Sequence, residues 1–205
     1  MNDWLMLGVG LLLTIGTGLF VASEFSMINL ERNELEARAS RGEKKLGPSI
    51  RALKKTSTHL SGAQLGITIT TMLTGFLAEP SLTKLLAPTV AKLGLADNLV
   101  EPIALAVGMF IATLFSTLIG ELVPKKLALT LPLETNKFVV HFQLAFTWLT
   151  GWMLVALNTV GNGIVRLFGI EPKEELSSSR TADELSSLVR RSAMMGALDA
   201  QTATL

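Results

Sequence analysis

Residues 4–22 read WLMLGVGLLLTIGTGLFVA, nineteen positions from Trp4 to Ala22 without a charge. At helical rise they cover roughly 28 Å, close to the thickness of a bilayer core. A cleaved signal peptide would carry positive charge ahead of such a run, but the charged side chain there is Asp3. The stretch therefore reads as a membrane span, and the rest of the chain agrees. Of the 205 residues, 49% are hydrophobic and 17% charged, against about 25% charged in an ordinary soluble domain. The net charge of +1 lacks the basic excess of a nucleic-acid binder. With no cysteine, disulfides, thiolate zinc sites and a thiol nucleophile are excluded. His59 and His141 are the two histidines, too few for histidine-based metal chemistry.

Two more apolar stretches are long enough to span. One runs from about Leu60 to Leu77, the other from about Pro102 to Val123, uncharged until Glu121. Between the first and second spans lie Arg32, Arg38, Arg41, Lys44, Lys45, Arg51, Lys54 and Lys55; between the second and third only Lys84 and Lys92. The positive-inside rule places the eight in the cytoplasm and the N-terminus outside. Lys125 and Lys126, after the third span, then fall in the cytoplasm without being fitted to it. A fourth apolar region, Phe138 to Phe168, holds His141, Asn158, Asn162 and Arg166 between mildly basic flanks. It reads either as a fourth span or as a helix pair at the cytoplasmic interface, and the second is preferred.

The expected class is an all-α integral membrane protein: three transmembrane helices, spans about 4–30, 58–80 and 100–124 within residues 1–137, plus a juxtamembrane helical belt over 138–170. Residues 171–205 read as a cytosolic tail. Within it Thr181 and Glu184 form a capping box ahead of a helical pattern from Ala182 to Met194. The pattern stops in mid-course at Leu205, as in a piece of a longer protein.

Ionisable groups at membrane depth mark function by default. Glu24 ends the first span, where it can also simply reach the headgroups. Glu121 sits in Gly120-Glu121-Leu122-Val123-Pro124-Lys125-Lys126. A proline within a helix cannot donate to the carbonyl four residues back, which here is Gly120. A stripped carbonyl beside a carboxylate offers two hard oxygens to a hard cation such as Mg2+ or Na+. Alternatively, Pro124 ends the helix and Glu121 pairs with Lys125 or an arginine. On the second span Gly62, Gly66, Thr70 and Thr74 recur every four residues, a face suited to close packing. Thr70 counts back to Gly66 and is expected to bond its carbonyl. Ser23 and Ser26 share a face of the first span. Counted from the span ends, all these groups lie in the inner part of the membrane. Mg2+ demands about six oxygens near 2.1 Å, and Ser23, Ser26, Gly66, Thr70, Gly120 and Glu121 form a candidate set of that size.

Three segments make the chain resemble the transmembrane domain of the CorC/cyclin-M (CNNM) magnesium transporters. They are Phe20-Val21-Ala22-Ser23-Glu24-Phe25-Ser26, Gln64-Leu65-Gly66-Ile67-Thr68 and, above all, Gly120-Glu121-Leu122-Val123-Pro124-Lys125. The resemblance implies three spans per protomer, a juxtamembrane belt, a homodimer in the lipid bilayer, and cytosolic CBS domains beyond the membrane part. A cytosolic C-terminus needs an odd number of spans, which also favours the interfacial reading of 138–168. It further implies Mg2+ as the transported substrate across the cell's inner (plasma) membrane, with Na+ as a candidate coupling ion. Ser23, Gly66, Gly120 and Glu121 are the best matches to the family's motifs; Ser26 and Thr70 rest on geometry. Two departures stand out: the CBS domains are absent, and Met194-Met195 stand where acidic residues are expected. The competing function is a non-transporting membrane Mg2+ sensor or scaffold. An enzyme is not expected, because a lone carboxylate with no partner acid, histidine or nucleophile offers no acid–base pair.

Overall fold

The computed structural model describes residues 2–170, all helix and connecting turns, with no strand among them. The tail helix expected over 182–194 lies outside the described residues. Helix α1 spans Asp3–Ile28, with the Asn2 side chain accepting from the Trp4 N–H at its start. Two short helices follow, α2 (Arg32–Ser40) and α3 (Gly47–Leu53). The end of α2 is a Schellman turn. Gly42 takes a φ of 95°, open to a residue without Cβ, and Glu43 N–H reaches back to the Arg38 carbonyl at 3.2 Å. Helix α4 spans Thr56–Ala91 and continues through Pro80 and Pro88. Helix α5 (Asp97–Ser116) passes into a π-helical segment (Thr117–Leu122) and then α6 (Val123–Thr130) without a break. Helix α7 spans Pro132–Leu167.

Four helical rods, α1, α4, α5–α6 and α7, are long and apolar enough to cross a membrane, one more than the three expected. The first expected span matches α1. The second, expected to end near residue 80, falls about three helical turns short of Ala91, because charge and proline end an apolar run before they end a helix. The third does not stop at Pro124: the chain shifts register and continues. The helix pair expected in 138–168 is instead a single helix. Gly151, Gly161 and Gly163 lie within it and do not break it; it ends at Gly169, φ 73°, in a second Schellman turn.

The repeating small face of α4 is a packing surface. Ala78 Cβ approaches to 2.7 Å of where a Cβ on Gly10 would stand, so α1 and α4 meet nearly backbone to backbone. Gly66 lies under the Phe20 ring, whose carbons come within 2.5 Å of the place of a Cβ. That ring is wedged between Phe142 (4.8 Å) and Phe146 (4.6 Å) of α7 and cannot swing away. Gly66→Ala should therefore cost about 1–3 kcal/mol, as overpacking does, read as a lower thermal midpoint in detergent. A loss below about 0.5 kcal/mol would mean that the aromatic cluster yields freely.

At the other end of α1, a compact cluster buries Met27, Leu35, Leu46, Ala52, Leu53 and Val140. It ties α2 and α3 to α1 and α7. Polar groups reinforce the same region. Asn136 Nδ2 donates to Ser26 Oγ at 3.1 Å, and Gln143 Nε2 to the His59 carbonyl at 2.8 Å. His59 Nδ1 lies 2.9 Å from Thr147 Oγ1.

Candidate cation site

A cleft of about 510 Å³ opens between α1, α4 and the α5–π rod. Its walls set the hydroxyls of Thr17, Thr68, Thr71, Thr74, Thr113, Ser116 and Thr117 among the apolar side chains of Val21, Phe25 and Ile67. On the third rod Thr113, Ser116, Thr117 and Gly120 follow one another at helical spacing along its floor. Three carboxylates line it, Glu24, Glu79 and Glu121. Among the described residues no three His, Asp or Glu side chains come together to hold a metal. A cation held here would thus rest on one carboxylate at a time, completed by hydroxyls and carbonyls.

Glu121 lies in the π-helical segment. There the Val123 N–H bonds the Leu118 carbonyl, five residues back. Counted from Pro124, the missing donor belongs to Gly120 in an α register and to Ile119 in a π register. The proline therefore denies a donor to one of these two adjacent carbonyls, at the change of register. Gly18 lets α1 close on them: a Cβ there would stand 3.2 Å from the Ile119 carbonyl and 3.0 Å from Pro124 Cγ. None of the ion pairs among the described residues involves Glu121. Lys125 is occupied elsewhere, its Nζ 4.5 Å from the centre of the Phe25 ring. The alternative in which proline ends the helix and lysine clasps the acid is not what the chain adopts.

The other candidates are spread further than residue counting suggested. Only Gly120 and Glu121 of the six line the cleft. Thr70 Oγ1 donates to the Gly66 carbonyl at 2.8 Å, as expected, and Thr17 Oγ1 lies 2.7 Å from Thr70 Oγ1. This pair sits between α1 and α4. Gly120 packs against Thr14 and Thr17, so Thr17 occupies the level that counting gave to Ser23. Ser23 is six residues, about 9 Å, further along α1. The offset arises because counting from span ends assumes that the helices start at one height. Ser26 instead meets α7, where Asn136 Nδ2 donates to its Oγ at 3.1 Å. Ser26 Oγ donates to the Ser23 carbonyl at 3.0 Å, while Ser23 Oγ and Asn136 Oδ1 are fully buried with no hydrogen-bond partner among the described residues. Glu24 accepts from Gln64 Nε2 at 3.3 Å, and both line the cleft.

Glu79 and the threonine wall escaped the sequence reading. Glu79 stands two residues beyond the apolar run that ends at Leu77, where an acid looks headgroup-facing. The spacing of Thr113, Ser116, Thr117 and Gly120 was there to be found as one helical face.

The chain matches the model of the cyclin M transmembrane N-terminal domain over residues 8–202. The chain belongs to this family. It is 46% identical, over 95% of its length, to UPF0053 protein MT1890 of Mycobacterium tuberculosis, and 35% identical, over 93%, to the uncharacterized protein Rv1841c of the same species. UPF0053 protein YhdT of Bacillus subtilis is 29% identical over 93% of the chain. The alignments cover 43%, 54% and 41% of these relatives, so the chain spans about half their length or less. Membership in the cyclin M family, with four helices long and apolar enough to cross a membrane, makes this a multi-pass membrane protein.

Proposed function

We propose that this domain carries Mg2+ across the plasma membrane through the cleft between α1, α4 and the α5–π rod. One observation carries the reading. An acid without an ionic partner among the described residues faces a cleft lined with seven hydroxyl side chains, at a π-turn where a proline denies a donor to a neighbouring carbonyl. Such a set favours a small hard cation that keeps several of its waters. Glu121 supplies the charge and the Gly120 carbonyl an oxygen beside it. The Gly66–Thr70–Thr17 chain of contacts holds α4 at the depth where α1 meets Gly120, and Ser26 anchors the inner part of α1 to Asn136 of α7. A homodimer is the proposed assembly, and Na+ the proposed coupling ion.

Three spans with an interfacial α7 fit the contacts better than four. From Asn136 to Leu154, α7 is about 27 Å long. Over that length its hydrogen bonds and ring contacts reach α1 only from Phe20 to Ser26, and its contacts on α4 are with His59 and Gly62. A helix that meets its neighbours over so short a stretch crosses them rather than running alongside. The N-terminus is then outside and residue 170 cytoplasmic.

The test is Mg2+ entry into sealed vesicles reconstituted with the full chain, followed by an internal Mg2+ indicator. Saturable flux above that of empty vesicles is expected. Saturable binding with no flux would replace this reading by a membrane Mg2+ sensor or scaffold.

A further inference from the structure

The cleft is longer than the site just proposed for it. On α4 its lining runs from Gln64 to Glu79, fifteen residues or about 22 Å of helix. The cross-contacts fix the levels of the three carboxylates. Glu24 is level with Gln64, its hydrogen-bond partner. Glu121 follows Gly120, which packs on Thr17, and Thr17 touches Thr70. Glu79 adjoins Ala78, which packs on Gly10. Along α4 these levels are Gln64, Thr70 and Glu79, separated by about 9 Å and about 13 Å. The acids stand one after another along a single groove.

Glu79 is aimed into that groove. Its Oε1 lies 3.6 Å from where a Cβ on Gly75 would be, so the side chain folds back along α4 toward Thr74 and Thr71, both of which line the cleft. It takes part in none of the ion pairs among the described residues. Lys84, one turn further on, leans instead to Asp3 at 3.9 Å. Pro80 follows immediately within the helix and denies a donor to the Phe76 carbonyl. Both Glu79 and Glu121 thus stand within one turn of a proline-stripped carbonyl, although Phe76 itself does not line the groove.

We infer that Glu79 is a second cation-holding residue, at the end of the cleft remote from Glu24, where a divalent ion rests on its way to or from Glu121. This rests on the transport reading for its purpose, but the binding it asserts can be read without transport. At about 13 Å, two such stations are close enough for an ion to step between them along the threonine wall, and far enough apart to bind singly.

The chain has no cysteine, so Gly75→Cys places one thiol beside Glu79. Its reaction with a cationic methanethiosulfonate is to be timed in the full chain, with and without millimolar Mg2+. Mg2+ should slow labelling at least about threefold. The slowing should vanish on adding Glu79→Gln and persist on adding Glu121→Gln. Slowing that survives Glu79→Gln, or that never occurs, overturns the inference; slowing lost equally with Glu121→Gln would reduce the two stations to one and overturn it as well. Should Gly75→Cys not fold, Thr71→Cys takes its place. If wild-type vesicles show no flux while the slowing pattern holds, the transport reading fails and the Glu79 site stands.

Discussion

Glu121→Gln should lower Mg2+ affinity at least about a hundredfold and bring vesicle flux close to that of empty vesicles. The substitution keeps the shape and one carbonyl oxygen and removes only the charge. No other carboxylate is level with the π-turn, since Glu24 and Glu79 lie about 9 Å and about 13 Å away along α4. In an apolar surround, a unit charge in contact with a divalent ion outweighs any neutral ligand. Folding should be spared, because Glu121 makes no ion pair among the described residues, and an unclasped side chain can change with little effect on stability. A thermal midpoint within a few degrees of wild type would separate lost binding from lost fold. Glu24→Gln is the comparison. Glu24 already accepts from Gln64, so its neutral form should weaken binding far less. Unchanged affinity in Glu121→Gln would remove the acid from the site and with it the reason to place an ion at the π-turn.

How much of this was legible in the chain depends on the kind of signal. The membrane class and the first span were plain, because nineteen uncharged residues admit few other readings. The Glu121–Pro124 pair was legible too, since the missing N–H of a proline is a local covalent fact. What it could not reveal is the register. Whether the helix answers with a kink, an end or a π-turn depends on how closely α1 approaches, and only Gly18 against Ile119 and Pro124 shows that. The extent of α4 was hidden for another reason: Glu79, Pro80 and Lys84 end the apolar pattern, while helical hydrogen bonding continues to Ala91. Depth failed for Ser23 because it is a tertiary quantity. Two helices can match residue for residue and still be staggered by six positions. Burial along α7 is tertiary too: its polar Asn136 and Gln143 are fully buried, which nothing in the apolar pattern marks.

Pro124→Ala tests whether the π-turn itself is needed. Alanine restores the donor that proline lacks, so the 117–122 segment can tighten to an ordinary α register. The gain is about one hydrogen bond, about 1 kcal/mol, and the thermal midpoint should hold or rise. Closing a π-turn removes the one-residue offset between the two halves of the rod. Its lower half is fixed by α6 and its upper half by Gly108 against Thr83, so Glu121 turns by about one residue's rotation, roughly 100°, away from the cleft. The Gly120 carbonyl is at the same time returned to the backbone ladder. Mg2+ affinity should then fall at least about tenfold in a protein at least as stable as wild type. Pro88→Ala gives the control. It restores a donor in α4 at an exposed position outside the cleft lining, so it should raise stability and leave flux unchanged. A loss of binding confined to Pro124→Ala identifies the register shift as the feature that presents acid and carbonyl together. Wild-type binding in Pro124→Ala would leave Glu121 as ligand on its own and make the π-turn a packing consequence of Gly18.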